Sequence, residues 1–203
     1  MTFFNRRNSD FYKETSILKA SDLISWKRAR GVYNFESLPK TAIISIKKKA
    51  FLLEQGQVCK FEGFVVEGCF RIFMIDKKGN ENTLYFATQN WWLMDIDSFM
   101  NQKPSDLNIQ ALEDSKVLII SEEDKSTLYN SIPATEKLFR IMFQKSIVAW
   151  QRRLVRNHSL TAKERYFDFV ENYPKIASKI TDRQTASYLG ITHEFLSKIK
   201  KQS

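Results

Sequence analysis

Short apolar runs separated by turn residues fill residues 41–121 of the chain. Runs this short, bounded by Gly, Asp and Asn, predict strands, because a helix needs a longer periodic pattern. Many short strands at close spacing are typical of an antiparallel barrel or sandwich. The predicted strands cover residues 42–46, 51–53, 61–66, 70–75, 83–87, 107–111 and 116–120.

Beyond residue 121 the apolar residues recur every three or four positions, which indicates helices. Ser121 is placed to cap a first helix, and Pro133 begins a long helix that runs to about Leu160. The long helix has two apolar sides and therefore needs two partners. We predict that these are the chain's own β-domain and the same helix of a second subunit; packing of both sides within one chain is the alternative. The first side comprises Phe139, Met142, Phe143, Ile147, Trp150 and Leu154, and the predicted dimer side comprises Leu138, Ile141, Val148 and Val155.

The last residues of the chain have the pattern of a helix-turn-helix. Thr181 and Gln184 form a capping box that begins one helix, and Gly190 ends it where a left-handed backbone favours a residue without a Cβ. Thr192 is placed to cap a second helix. Three residues of that second helix are predicted to return to the core at helical spacing: Phe195, Leu196 and Ile199.

The second helix of this motif presents polar and basic side chains outward. A recognition helix uses this set of side chains on base edges and phosphates. An αα-corner that merely completes the fold is the alternative interpretation, and the agreement of caps, glycine and apolar spacing favours DNA binding. The predicted DNA-binding residues are Arg183, Thr192, His193, Glu194, Ser197, Lys198, Lys200 and Lys201.

A second capping box, formed by Thr161 and Glu164, predicts a further helix before the helix-turn-helix. The segment from Asn172 to Pro174 ends that helix. Its inner residues are predicted to be Tyr166, Phe167, Phe169 and Val170. The chain is thus expected to comprise a β-domain with an N-terminal helical segment at residues 16–26 (1–132), a long helix (133–160) and a helix-turn-helix domain (161–203).

Charge is distributed unevenly along the 203 residues, which carry a net charge of +9. Residues 145–203 hold 12 basic and 5 acidic residues, so most of the excess lies on the segment with the helix-turn-helix, as a phosphate-binding surface requires. Two cysteines and two histidines offer neither a disulfide scaffold nor metal-ligand spacing, so we expect no metal and no cofactor. No apolar run could span a bilayer, and we expect a cytoplasmic protein without a membrane partner.

Five stretches spread over residues 40–200 carry a resemblance to a known family. The most specific are residues 160–166 (LTAKERY) and 186–192 (ASYLGIT); the weaker ones are residues 51–59 (FLLEQGQVC), 65–71 (VVEGCFR) and 108–115 (NIQALEDS). In these stretches the chain resembles the Crp/Fnr family of bacterial transcription regulators, most of all its Bacteroidetes-type members. The resemblance implies an α+β fold with an N-terminal antiparallel β-roll (a double-stranded β-helix or jelly-roll), a long dimerisation helix and a C-terminal all-α helix-turn-helix.

The family also implies a homodimer that contacts two DNA half-sites about one helical turn apart. In family terms, His193, Glu194 and Lys198 occupy the positions that contact base edges. Many members have arginine at the positions of His193 and Lys198, so the operator sequence cannot be carried over. Few residues follow Ile199, and we therefore expect no β-wing after the recognition helix.

The effector pocket departs from the family pattern. Members that bind cyclic nucleotides carry a Gly-Glu pair and, shortly after it, an Arg-Ser pair. Here these pairs are replaced by Met94-Asp95 and Ser105-Asp106, which leaves a degenerate pocket without the arginine. A cyclic phosphate beside Asp106 would lack a paired cation, so we predict that the protein does not bind cyclic AMP.

These patterns together predict a homodimeric, sequence-specific transcription regulator that binds double-stranded DNA. A small-molecule effector of unknown identity stays open. The alternative is a ligand-binding or interaction module whose helix-turn-helix does not recognise DNA. No P-loop, dinucleotide-binding glycine pattern or nucleophile elbow occurs, so the sequence does not support an enzyme.

Overall fold

The computed structural model describes residues 42–202, and the helix predicted at residues 16–26 lies outside this range. Within the range the strands are β1 (Ala42–Ile46), β2 (Phe51–Leu53), β3 (Glu62–Glu67), β4 (Cys69–Ile75), β5 (Glu81–Thr88), β6 (Trp92–Leu93), β7 (Asn108–Ala111) and β8 (Ser115–Ile120). They form two four-stranded antiparallel sheets, of order β1-β8-β3-β6 and β2-β7-β4-β5.

The two sheets of this β-domain enclose one apolar core. Val65 of β3 lies opposite Val117 of β8, and Ile72 of β4 lies opposite Ile109 of β7; all four side chains are fully buried. Both sheets therefore contribute to the core, which is the arrangement expected of a β-roll. The α+β class with an antiparallel β-roll is confirmed.

Every strand predicted from the sequence is present, with ends that differ by no more than two residues. The strand β6 and the helix that follows it, α1 (Ile96–Asn101), were not predicted. A two-residue strand is too short to produce a hydrophobic period. Helix α1 begins at Asp95, whose side chain accepts hydrogen bonds from the backbone N–H groups of Asp97 and Ser98.

Helices make up most of the chain after β8. They are α2 (Glu122–Ser131), α3 (Ala134–Ser159), α4 (Ala162–Asn172), α5 (Pro174–Ala177), α6 (Asp182–Leu189) and α7 (His193–Lys201). The predicted caps are confirmed: Ser121, Thr161, Thr181 and Thr192 accept backbone hydrogen bonds at the starts of α2, α4, α6 and α7. The long helix α3 begins after Pro133 and ends before Leu160, as predicted.

Two aromatic residues predicted to be internal are exposed instead. Phe167 of α4 and Phe195 of α7 keep 41% and 48% of their surface accessible. The buried side of each short helix is narrow: it centres on Phe169 in α4, and on Leu196 and Ile199, three residues apart, in α7. Phe167 and Phe195 lie at the edges of these buried sides, so their rings reach solvent.

The first apolar side of α3 contacts the β-domain at separate points. Phe139 is buried against Trp92, with ring centroids 5.2 Å apart, and Trp150 packs edge-on against Tyr85 at 5.5 Å. Ile147 and Leu154 of the same side are 63% and 59% exposed. This side is therefore not buried as one continuous stripe.

Candidate DNA-binding surface and interdomain cavity

The helix-turn-helix is fixed by hydrogen bonds that the sequence encodes locally. The Thr181 hydroxyl accepts from the Gln184 N–H at 3.2 Å, and the Gln184 side chain accepts from the Thr181 N–H at 3.0 Å. Gly190 ends α6 in the left-handed region, at φ 66°. The Thr192 hydroxyl then accepts from the Phe195 N–H at 3.2 Å and begins α7. These caps set the direction in which α7 leaves the turn.

The predicted DNA-binding residues lie on α6, on α7 and in the turn between them. Lys200 is tied to Asp182, at the start of α6, by an ion pair of 2.8 Å. The carboxylate of Glu194 accepts a hydrogen bond from its own backbone N–H and contacts the Thr192 hydroxyl, and both interactions lower its pKa. The exposed members are Arg183, Thr192, His193, Glu194, Lys198, Lys200 and Lys201, and Ser197 is half-buried.

Phe195 of α7, predicted to return to the core, is half exposed instead. An exposed aromatic ring among polar residues can contact a thymine methyl group in a major groove. The sequence did not indicate the exposure of Phe195, because an apolar residue at the edge of a buried helix side has the same spacing pattern as one at its centre.

The four residues predicted to form a degenerate effector pocket do not all lie at one site in the structure. Asp95 and Ser105 are buried together, and the Ser105 hydroxyl donates to the Asp95 carboxylate at 2.6 Å. The other carboxylate oxygen of Asp95 accepts the N–H groups that cap α1. Met94 lines a cavity, whereas Asp106 is exposed and Ser105 lies outside the cavity wall. Both oxygens of the Asp95 carboxylate thus accept hydrogen bonds from within the β-domain.

A cavity of about 370 Å³ lies between the β-domain, α3 and the helix-turn-helix domain. Its β-domain wall is aromatic: the Tyr85 ring packs edge-on against Trp150 of α3 at 5.5 Å, and Trp91 packs against Tyr173 at 6.1 Å. Trp92 also lines it, so both of these adjacent tryptophans are half-buried in the cavity wall.

The helix-turn-helix domain closes this cavity because it packs against β5. Phe86 of β5 is buried among helical residues, with ring centroids 5.5 Å from Tyr188 and 6.4 Å from Phe169. Ser187 of α6 accepts a hydrogen bond from the Thr83 N–H at 2.9 Å and donates to the Glu81 carbonyl at 2.6 Å. The cavity therefore depends on how the helix-turn-helix domain is seated on the β-domain.

Cationic side chains of α3 face the cavity. Lys145, Arg153 and Arg156 all line it, and they share one side of the helix with Ala149. Arg156 forms an ion pair with Asp168 at 3.5 Å. Burial raises the pKa of the Asp168 carboxyl, and the nearby Arg156 opposes that shift. These cations could not be recognised as cavity residues from the sequence, because charged residues on a helix are usually solvated.

Glu62 and Lys125 form a second charged pair at another wall of the cavity. Glu62 is buried and bonds Lys125, whose ammonium lies 5.0 Å from the Phe139 ring centroid. Burial raises the pKa of the Glu62 carboxyl, and Lys125 acts in the opposite direction. This pair joins α2 to β3.

The opposite side of α3 presents an apolar surface to solvent, which we call the outer face: Ile147, Val148, Leu154 and Val155. Within residues 42–202 these four side chains remain between 37% and 63% exposed. The outer face includes Val148 and Val155 of the predicted dimer side. Ile141 is half-buried in the cavity wall, and the side chain of Leu138 lies outside the described structure.

Across residues 42–202, no helix combines the length and apolarity needed to cross a membrane. The same part of the chain holds no group of three His, Cys, Asp or Glu side chains that could bind a metal ion. Cys59 and Cys69 are free thiols buried in the β-domain. Burial raises the pKa of the Cys69 thiol to about 11.

Comparisons with known proteins agree with this architecture. Residues 43–131 match the family model of the cyclic nucleotide-binding domain. No curated protein sequence matches the chain. Among solved structures, a mutant of CooA from Carboxydothermus hydrogenoformans is similar at a TM-score of 0.69 and 14% identity, covering 91% of this chain and 84% of that one.

Two further solved structures are similar in fold. FixK2 from Bradyrhizobium japonicum is similar at a TM-score of 0.64 and 17% identity, covering 80% of this chain and 83% of that one. A transcriptional regulator of the Crp/Fnr family from Eubacterium rectale is similar at a TM-score of 0.60 and 18% identity, covering 95% of this chain and 87% of that one. Residues 43–131 thus match the cyclic nucleotide-binding domain family, and the described chain shares the fold of these solved structures.

Proposed function

We propose that the protein is a transcription regulator that binds double-stranded DNA sequence-specifically through α7. The observation that carries the proposal is the outer surface of α6 and α7, on which capped helix ends present Glu194, Lys198 and Lys201 to solvent. A helix that projects such side chains beyond the surface can enter a major groove. Lys198 and Lys201 would contact phosphates or guanine edges, and Glu194 would accept from a cytosine amino group.

The proposed regulator acts as a homodimer joined through α3. The outer face supports this, because four apolar side chains on one stripe of a helix are stabilised when a second copy covers them. A two-fold axis along α3 would bring two copies of α7 to one side of the dimer. Two recognition helices can then contact half-sites about one turn of DNA apart.

The proposed regulator does not use cyclic AMP. In support, Asp95 and Ser105 already satisfy each other, and the carboxylate of Asp106 lies next in the chain. A phosphate placed there would meet negative charge where the family pattern has an arginine. Lys103 is the nearest cation in sequence, and it is paired with Asp97 at 2.7 Å. Calorimetric titration with cyclic AMP should give no binding in the micromolar range, and a low-micromolar dissociation constant would overturn this part.

The proposal is tested by selecting bound sequences from a random pool of duplex DNA at near-physiological salt. An enriched motif with two-fold symmetry and half-sites about one helical turn apart is the expected result. Background binding without enrichment would contradict sequence-specific binding and favour the alternative of an interaction module with a degenerate helix-turn-helix. Repeating the selection with and without small-molecule extracts separates an effector requirement from the loss of DNA recognition.

Two variants assign the contacts within the selected motif. Glu194→Gln should relax base preference at one position of each half-site, since an amide no longer favours a cytosine amino group so strongly. Lys198→Ala should weaken binding, and it should lower the salt dependence by about one phosphate contact if Lys198 binds a phosphate. Lys77→Ala, in an exposed turn of the β-domain, is the matched control and should leave both quantities unchanged.

A further inference from the structure

Three arginine side chains meet where the C-terminal part of α3 packs against α4 and α6. Arg153 and Arg156 belong to α3, and Arg165 belongs to α4. All three line a small void of about 20 Å³, which we call the junction void. No residue of the β-domain belongs to its wall, although the void adjoins the interdomain cavity and shares residues with it. The other lining residues are Asn157, Asp168, Phe169, Tyr173, Tyr188 and Leu189.

Arg165 is held at this junction by the ends of two helices. The last carbonyl groups of a helix have no partner within the helix and accept hydrogen bonds from elsewhere. Arg165 Nη1 donates to the Leu160 carbonyl at 2.9 Å, just after α3, and Nη2 donates to the Leu189 carbonyl at 3.2 Å, at the end of α6. Arg165 Nε is buried and has no hydrogen-bond partner among residues 42–202.

Arg153 has the same shortage of acceptors. Its Nη2 donates to the Tyr188 carbonyl at 3.2 Å and to the Thr83 carbonyl at 3.4 Å. Its Nη1 is buried and has no partner within the described chain. A buried donor without an acceptor is rare in proteins and destabilising. Two such donors, on arginines that line one void, indicate an acceptor that the described residues do not supply.

The wall of the junction void also has an excess of positive charge. Its three arginines face one acidic residue, Asp168, which forms an ion pair with Arg156 at 3.5 Å. The other carboxylates of α4 lie outside the wall: Glu164 accepts from the Thr161 N–H at 2.7 Å, and Glu171 is exposed. The charge of the remaining two arginines is therefore not balanced within this wall.

The size of the junction void restricts the kind of ligand. A volume of about 20 Å³ is slightly more than one water molecule needs, and it is too small for a phosphate or a carboxylic acid. A water molecule would accept hydrogen bonds but would leave the charge of the arginines uncompensated. A monatomic anion occupies a similar space and supplies both the acceptor and the charge.

We propose that the junction void binds a halide ion, with chloride as its ordinary occupant. The ion would accept hydrogen bonds from Arg153 Nη1 and Arg165 Nε, which are stronger than neutral ones because the donors are charged. Because α3, α4 and α6 all border the void, the bound ion stabilises the junction of the long helix with the helix-turn-helix domain. The site requires neither DNA nor a second subunit, so it does not rest on the proposed function.

Thermal unfolding of the full chain at constant ionic strength tests the site, with chloride exchanged for gluconate, which is too large for the void. A ligand that binds only the folded state stabilises it increasingly as its concentration exceeds the dissociation constant. Raising chloride about a hundredfold should therefore raise Tm by at least about 2 °C. A Tm that does not depend on the choice of anion would overturn the proposal and leave water as the occupant.

A first pair of variants locates the ion. Arg165→Gln removes one of the two donors together with its charge, and it should lose most of the chloride dependence of Tm. Arg140→Gln, exposed on α3 and outside the junction void, removes the same charge and should retain that dependence. Equal chloride dependence in the two variants would place the ion on another surface and overturn the proposal.

A second pair keeps every arginine. Asn157→Asp adds a carboxylate to the wall of the void with little change in size, and it should take the place of the ion, so that Tm depends on chloride much less. A carboxylate near the C-terminus of a helix is unfavourable by itself. Asn130→Asp, near the C-terminus of α2 and equally exposed, controls for that effect and should retain the full dependence.

The line width of the chlorine NMR signal gives an independent measurement, because exchange of chloride with a protein site broadens the resonance. The broadening should fall in Arg165→Gln and in Asn157→Asp and persist in the two controls. Circular dichroism shows whether each variant folds; should Arg165→Gln not fold, Asn157→Asp decides the outcome. Unchanged broadening and unchanged chloride dependence in Asn157→Asp would then overturn the proposal. Because no DNA is present, these results are independent of whether the protein recognises DNA.

Discussion

The two sides of α3 differ in polarity, and their placement is the reverse of that in an ordinary amphipathic helix. Toward the interior, the second half of α3 presents Lys145, Arg153 and Arg156 to an aromatic cavity. Toward solvent it presents the outer face, with Leu154 and Val155 more than half exposed. A helix of a single folded chain normally buries its apolar stripe and exposes its charges.

The difference teaches that the two sides of α3 need different kinds of contact. An apolar stripe is stabilised when a second apolar surface covers it, and an interior cation is stabilised by anions or hydrogen-bond acceptors. In the proposed function, a second copy of the chain would cover the outer face.

The strongest way to break this comparison is to place charge on the outer face. Leu154→Asp should abolish the dimer, because two carboxylates would be buried at a two-fold interface, each destabilising by about 3–5 kcal/mol when uncompensated. Leu154→Met keeps the apolar volume and should remain dimeric. Sedimentation velocity measures both. A Leu154→Asp protein that stays dimeric would show that the outer face is not the subunit contact.

A second change tests the interior side through its β-domain wall. Phe86→Ala should lower the free energy of unfolding by about 3–5 kcal/mol, because it leaves a void between β5 and the rings of Phe169 and Tyr188. Phe51→Ala is the control, since Phe51 is 41% exposed on β2, at the opposite edge of the same sheet, and its loss should lower the free energy of unfolding less. Urea denaturation gives both values. Similar losses in the two variants would mean that Phe86 does not hold the domains together.

Local signals explain which parts of this architecture could be predicted from the sequence. The capping box at Thr161, the one at Thr181 and the left-handed Gly190 each act within four residues, so they could be recognised without knowledge of the fold. Strand positions followed from apolar runs and turn residues for the same reason. Strand β6 and helix α1 were missed because neither is long enough to show a period.

Side-chain placement that depends on neighbouring elements could not be predicted in this way. Phe195 and Leu196 are adjacent apolar residues, and only the packing of α7 on the rest of its domain decides which of them is buried. Likewise, nothing in the spacing of Lys145, Ala149 and Arg153 indicates that this side faces a cavity. Long-range packing decides both cases, and a single sequence does not encode it in a local pattern.

A smaller effect is expected at the seam between α6 and β5. Ser187→Ala removes the acceptor of the buried Thr83 N–H and should lower the free energy of unfolding by about 1–3 kcal/mol. Hydrogen exchange of the Thr83 amide should accelerate, while exchange in the core strand β8 follows only the global change. Ser178→Ala, whose exposed hydroxyl contacts the Lys175 carbonyl, is the control and should have little effect. An unchanged Thr83 amide would show that the seam is held by ring packing alone.

The smallest effect concerns the turn of the helix-turn-helix, which belongs to neither side of α3. Gly190 has φ 66°, and a Cβ built there meets no atom within 4 Å, so substitution is opposed by the backbone alone. Gly190→Ala should therefore destabilise by about 1 kcal/mol and lower Tm by about 2–4 °C in a chain of this size. Gly190→Asn should lose less stability, because asparagine adopts the left-handed region more readily than alanine.

Neither variant should change the oligomeric state, which in the proposed dimer depends on the outer face. A shift in the dimer equilibrium would mean that the turn and α3 are coupled. Equal losses for Ala and Asn would imply that something other than backbone strain opposes a side chain at this position.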